Sequence, residues 1–152
     1  MKKKFLTVLA LLAVLSTSRV FALGIGAQAG FPPGGSLTFK VDSLPCVFAA
    51  DVYSKNNGLH LGLTADWWIA NPKIEGTWGY FYGVGVGGGV TLGEPFEFAI
   101  GPRVVIGTNV FLFDKFLELY LQAAYQPMFC FGTGFHPDWW GFGGAGGFRV
   151  WF

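Results

Sequence analysis

The sequence predicts an all-β fold: an eight-stranded antiparallel up-and-down transmembrane β-barrel over residues 23–152, preceded by a cleaved signal peptide at 1–22. Three observations carry that expectation. The ionisable side chains fall on one parity of short alternating segments. In Leu59 to Trp67, the residues Leu59, Leu61, Leu63, Ala65 and Trp67 make one face and His60, Gly62, Thr64 and Asp66 the other, as a strand with two different faces requires. The chain is 18% aromatic and only 12% charged, against about 25% charged residues in ordinary soluble domains. Yet no apolar run of the mature region reaches the ~18 residues of a membrane-spanning helix. Finally, Gly, Pro and Asn punctuate the chain into about eight segments of roughly ten residues, the signature of a membrane barrel.

The N-terminus reads as an export signal. Lys2-Lys3-Lys4 is a positive start, Phe5 to Leu15 is an apolar stretch too short to span a membrane, and Val20-Phe21-Ala22 offers a cleavage site after Ala22. Without residues 1–22, six bases face nine acids, a net of −3. That excludes a basic nucleic-acid binder.

The strands follow in order. Leu23 to Phe31 turns Leu23, Ile25, Ala27, Ala29 and Phe31 outward, with Gly24, Gly26, Gln28 and Gly30 inward, and Pro32-Pro33-Gly34-Gly35 reverses the chain. Ser36 to Asp42 alternates Leu37, Phe39 and Val41 with Thr38 and Lys40. After Ser43-Leu44-Pro45, Cys46 to Tyr53 places Phe48, Ala50 and Val52 outward and Asp51 inward. Lys55-Asn56-Asn57-Gly58 is a hairpin signal leading to the strand that ends at Trp67-Trp68. Asn71 to Thr77 is a polar connection. Trp78 to Val90 sends Trp78, Tyr80, Tyr82, Val84 and Val86 outward and glycines and Phe81 inward. Phe96 to about Val110 faces Phe98, Ile100, Val104 and Ile106 out and Glu97, Gly101, Arg103 and Val105 in. Pro102 lies inside this strand, so a bulge or a locally missing ladder bond is expected there. Phe116 to Tyr125 carries Leu117, Leu119 and Leu121 outward and Glu118, Tyr120 and Gln122 inward. The longest connection, 126–140, precedes the last strand, Gly141 to Phe152.

A soluble lipocalin-like barrel would show the same alternation with the faces exchanged. The glycine-rich polar face argues for the membrane form, because an eight-stranded barrel is only just wide enough for its own side chains. Large apolar residues then belong outside. Aromatics at segment ends form expected interfacial girdles: Trp67, Trp68, Trp78, Trp151 and Phe152 at one rim, Tyr125, Trp139 and Trp140 at the other. The expected lumen cluster is Lys40, Asp51, His60, Asp66, Glu97, Arg103, Glu118, Gln122 and Arg149. It reads as a plug of salt bridges or, in the rival reading, as a polar path for solute.

Phe148-Arg149-Val150-Trp151-Phe152 resembles the C-terminal signal of bacterial outer-membrane proteins, with Phe148, Val150 and Phe152 as its assembly residues. With Gly35-Ser36-Leu37-Thr38-Phe39-Lys40, Trp67-Trp68, Tyr80 to Gly85 and Gly101 to Gly107, the mature chain resembles the small eight-stranded outer-membrane barrels of spirochaetes, and more distantly OmpX, OmpW and the OmpA membrane domain. The resemblance implies a bacterial outer-membrane location after passage through the periplasm. It also implies a structural or surface-exposed role, with host-protein contact in some members. The OmpW likeness implies the alternative, a narrow channel for small solutes. Expected partners are outer-membrane lipid, the barrel assembly machinery through the C-terminal strand, and a host protein at the 126–140 loop. With both termini at the periplasm, that loop would be the only sizeable extracellular one.

No enzyme, cofactor or metal site is expected. His60 and His136, the only histidines, are placed at different heights without metal-ligand spacing. Gly83 to Gly89 resembles a nucleotide loop, but no helix follows it. Ser36 and Ser43 have no His on the same element, and inward acids such as Asp66 and Glu118 read as ion-pair partners. Cys46 and Cys130 are expected at opposite rims, too far apart for a disulfide, with Cys46 acting as a small apolar residue facing lipid.

Overall fold

The computed structural model describes residues 22–55 and 58–152. The expected signal peptide as far as Phe21, and Asn56-Asn57 of the expected hairpin, lie outside the described residues. The fold is all-β. Its strands are β1 (Leu23–Phe31), β2 (Gly34–Val41), β3 (Cys46–Lys55), β4 (Gly58–Ala70), β5 (Lys73–Glu75), β6 (Trp78–Leu92), β7 (Glu97–Leu112), β8 (Leu117–Tyr125), β9 (Met128–Phe131), β10 (Phe135–Asp138) and β11 (Phe142–Trp151). Eight of them, β1-β2-β3-β4-β6-β7-β8-β11, form the wall, and β11 pairs back onto β1. Every pairing is antiparallel, so the expected closed eight-stranded barrel is the fold.

The register fixes the size of the cylinder. Partner by partner, Trp151 leads to Gly24, Lys40, Val47, Asp66, Gly85 and Arg103. The circuit runs on through Gln126, whose amide bonds the Gly141 carbonyl, and so returns to the start of β11, ten residues before Trp151. With strands ~4.8 Å apart and a rise of ~3.3 Å per residue, that stagger over eight strands gives a tilt of about 40° and a radius of about 8 Å. Side chains alone fill such a bore.

Three local features differ from the sequence expectation. The 126–140 connection is not a loop. β9 continues β8 along β7 (Phe98↔Phe131, Ala99↔Cys130, Ile100↔Phe129), and β10 folds back on β9, so one side of the wall rises above the rest. Pro127, Pro137, Gly132 and Gly134 obscure this hairpin in the sequence, and Pro137 is tolerated because β10 is an edge strand. Second, Pro102 makes no bulge. The β6–β7 register runs unbroken from Trp78↔Val110 to Thr91↔Glu97. On its other side the ladder stops at Val104↔Tyr125 and resumes at Ile100↔Phe129, so Pro102 faces Pro127 and neither can donate. The missing-bond form of the expectation is the one realised, and Arg103 keeps its inward parity. Third, β2 starts at Gly34, two residues earlier than expected, and a short β5 within 71–77 pairs with β6.

The inward glycines divide into two kinds. A Cβ on Gly107 would stand 2.3 Å from the Phe81 ring, so this glycine makes room for a lumen side chain. A Cβ on Gly26 would stand 1.7 Å from the Phe148 carbonyl oxygen, and on Gly83 2.2 Å from that of Trp67. These positions let neighbouring backbones approach closer than a side chain allows. Gly26→Val, at the β1–β11 closure, is therefore expected to destabilise the barrel by about 1–3 kcal/mol through overpacking. Gly35→Ala, whose new methyl would stand 3.9 Å from its nearest neighbour, the Gln28 carbonyl oxygen, should stay within about 0.5 kcal/mol. Equilibrium urea unfolding of the two variants checks both.

Candidate functional site: the lumen

Parity delivers all nine expected lumen residues to the inner face, but at three levels and not as one cluster. At the end of the barrel holding Phe152, β8 and β11 set Glu118 directly opposite Arg149. Both are fully buried, with Arg149 Nη1 3.1 Å from Glu118 Oε2. The same carboxylate accepts hydrogen bonds from Asn109 Nδ2 (2.8 Å) and the Trp151 indole N–H (3.1 Å). Arg149 Nε and Nη2 have no hydrogen-bond partner among the described residues. The guanidinium instead lies 4.0 Å from the Tyr120 ring centroid and 5.6 Å from that of Trp68, an arrangement that stabilises a desolvated cation.

Trp68 and Trp151 correct the girdle assignment. Trp68 is buried, stacked on Phe81 with ring centroids 3.9 Å apart, and the Lys40 ammonium sits 3.7 Å above its ring. Trp151 turns its indole N–H in to Glu118. Strand parity explains both: Trp67 faces out, so Trp68 faces in, and Trp151 shares the parity of Arg149. Trp67, Trp78, Trp139, Trp140 and Phe152 are exposed, Trp140 at the rim of the mouth cavity, and Tyr125 packs on Phe142 with centroids 4.7 Å apart. Val47, Trp68, Phe81, Val105 and Tyr120 make a buried apolar layer across the bore.

Above that layer a hydrogen-bonded chain crosses the lumen. Tyr120 Oη and Gln122 Nε2 donate to Gln28 Oε1 at 3.0 and 3.3 Å, Gln28 Nε2 donates to Ser36 Oγ at 3.4 Å, and Ser36 donates to the Asp51 carboxylate. On the opposite wall Arg103 Nε donates to Asp66 Oδ2 at 3.1 Å while Nη1 donates to Gln126 Oε1 at 2.9 Å. Gln126, Thr38 and Asn109 belong to the network although none is ionisable, which is why charge parity missed them. Their inward parity was the available signal.

The upper level opens into a cavity of about 370 Å³ at the end carrying the β9–β10 hairpin, lined by Gln28, Asp51, Tyr53, His60, Arg103, Gln126 and others. His60 stacks on Tyr53 with centroids 4.3 Å apart, and its Nδ1 is 3.1 Å from Thr91 Oγ1. Beside this mouth, Glu97 on β7 lies 3.5 Å from His136 Nε2 on β10, near Cys130 on β9. His60 and His136, expected at different heights, instead stand at the same end, His60 level with Thr91 and Glu97 and His136 beside Glu97, because β10 brings His136 back along β9. Cys46 and Cys130 form no disulfide. Cys46 opens β3 at the Phe152 end, and Cys130 is buried at the other.

The arrangement is a cup: a packed ionic and aromatic floor, a polar mid-layer and an open mouth. No protein-family model matches the chain, and no curated protein or solved structure matches it significantly.

Glu118→Gln would leave Arg149 buried without its counter-charge, and a loss of about 3–5 kcal/mol of unfolding free energy is expected. The double variant Glu118→Leu/Arg149→Met, which removes both charges, should be less destabilised than the single one. Urea-unfolding midpoints of the two, compared with the unsubstituted chain, report the difference.

Proposed function

We propose that the protein is an integral outer-membrane β-barrel with a side-chain-filled lumen and a structural, surface-exposed role. One observation carries this reading. Among the described residues, the outward positions of the eight wall strands include no Asp, Glu, Lys, Arg or His, while Leu37, Leu63, Val86, Ile106 and Leu121 among them stand more than half exposed. A soluble surface carries about 25–35% charged residues, and an exposed apolar belt of this extent marks contact with a partner or a membrane. The partner fits a bilayer by size. Ten residues tilted by about 40° rise ~25 Å, the height of the apolar band on such barrels.

In this reading residues 1–22 direct export to the periplasm, and Phe148, Val150 and Phe152 present the last strand to the barrel assembly machinery. Trp67, Trp78 and Phe152 lie at the periplasmic interface. The β9–β10 hairpin rises on the extracellular side, where Phe129, Phe131, Phe135 and Trp139 pack on one another with centroids about 5.4–6.3 Å apart. That aromatic crest is the surface offered to lipid headgroups or to a host protein. A second reading, a narrow channel for small solutes, is favoured by the 370 Å³ mouth. The buried Arg149–Glu118 pair and the Trp68–Phe81 stack beneath that mouth favour the plug.

Leu63→Arg separates a membrane barrel from a soluble one. Leu63 is 68% exposed on the outer face, so in water the change should be close to neutral. In a bilayer an arginine near mid-height costs roughly 2–4 kcal/mol, and folding into lipid vesicles is expected to weaken by that amount. Planar-bilayer recording decides between plug and channel. The purified protein is expected to show no steady conductance, whereas stepwise openings at a fixed amplitude would establish the channel.

A further inference from the structure

We propose that Glu97, Cys130 and His136 form a three-donor site for a divalent transition-metal ion of the zinc class at the mouth of the barrel. The site follows from register. On β9–β10, Cys130 and His136 are direct cross-strand partners, and on β7–β9 the Ala99↔Cys130 pairing sets Glu97 diagonally beside them on the same inward face. One thiol, one imidazole and one carboxylate thus converge from three strands, with their ligand atoms all within 4.8 Å of one another. Zinc bonds of ~2.3 Å to sulfur and ~2.0–2.2 Å to nitrogen and oxygen place tetrahedral donors about 3.4–3.6 Å apart. Glu97 Oε2 and His136 Nε2 already stand at 3.5 Å. From a separation of at most 4.8 Å, the thiol has to close by at most about 1.2–1.4 Å to reach tetrahedral spacing, through rotamers of Glu97 and of the 60% exposed His136 side chain.

The donor set selects the ion. A thiolate with an imidazole disfavours Mg²⁺ and Ca²⁺ and suits Zn²⁺, Co²⁺ and their neighbours. Three protein donors leave the fourth position to water from the solvent that the 60% exposed His136 side chain meets. Binding expels the Cys130 thiol proton to solvent as the metal–sulfur bond forms, so apparent affinity rises with pH. The ion would tie β7, β9 and β10 together and fix the hairpin over the wall. The site stands on the barrel's register, whatever surrounds the outer face.

The test is metal titration of the tag-free, folded protein with Zn²⁺ by calorimetry and with Co²⁺ as the spectroscopic probe. One ion per chain is expected, and bound Co²⁺ should show a thiolate-to-metal charge-transfer band with the intense visible bands of tetrahedral coordination. Cys130→Ser should remove the charge-transfer band. Cys130→Ser and His136→Gln should each weaken binding by at least about tenfold, the lower end of what even an outer-shell substitution costs. Cys46→Ser, at the opposite end, should bind as the unsubstituted chain does. His136 is exposed, so His136→Gln keeps the test valid where the buried Cys130→Ser fails to fold. A Co²⁺ spectrum without the charge-transfer band, or unchanged affinity in the folded His136→Gln variant, would overturn the site.

Discussion

Closure of the ladder after eight strands is the constraint on which the remaining structure depends. A closed ladder leaves no edge, so backbone donors and acceptors are satisfied sideways within the wall itself. Eight strands staggered by ten residues fix a bore about 8 Å in radius, too narrow for two layers of large side chains. The large apolar residues must therefore stand outside, and the inner positions must alternate between glycine and a few side chains that span the axis. Gly107 beneath Phe81 and Gly24 against the Trp151 ring show how space is traded between neighbouring strands.

The interior that results inverts the usual arrangement of a small domain. Its most buried side chains include Arg149, Glu118 and Thr38, groups that are costly to desolvate alone. The cost is offset by convergence. Glu118 gathers a guanidinium, an amide and an indole N–H onto two oxygens, while Tyr120 and Trp68 offer π-faces to the charge that lacks further acceptors. Such a centre specifies register: a slip of one residue along β8 or β11 would turn Glu118 or Arg149 to the outer face and leave its partner stranded. The ion pair is thus better described as a registration device than as a source of net stability.

Much of this was legible in the sequence. The period of two survives intact through β6, β7 and β4 as far as Trp68, beyond which the β4–β6 register shifts, so the faces and the inward charges could be read directly, and β1 and β3 begin where the alternation begins. What failed did so for identifiable physical reasons. Trp68 and Trp151 were drawn to the rims by the general affinity of aromatics for segment ends, although their parity with Asp66 and Arg149 pointed inward. The β9–β10 hairpin is interrupted by two prolines and two glycines, so its alternation is too short to register. With the hairpin hidden, nothing could place His136 beside Cys130 and Glu97, because cross-strand proximity is a property of register and not of spacing along the chain.

Pro102 facing Pro127 gives the cylinder an unusual mechanical character. A hoop of hydrogen bonds resists distortion equally all round, but a hoop with one short cut is a spring. Between Ile100 and Val104 the backbone stitches of β7 to its neighbour are absent, and on the inner surface the nearest tie is the Arg103–Gln126 side-chain bond. Compliance is concentrated on that line, directly below the raised hairpin. The hairpin side of the mouth is thus held by the β6–β7 ladder below it and by β9 above the cut, whereas the floor around Glu118 is stitched continuously on both flanks of β8.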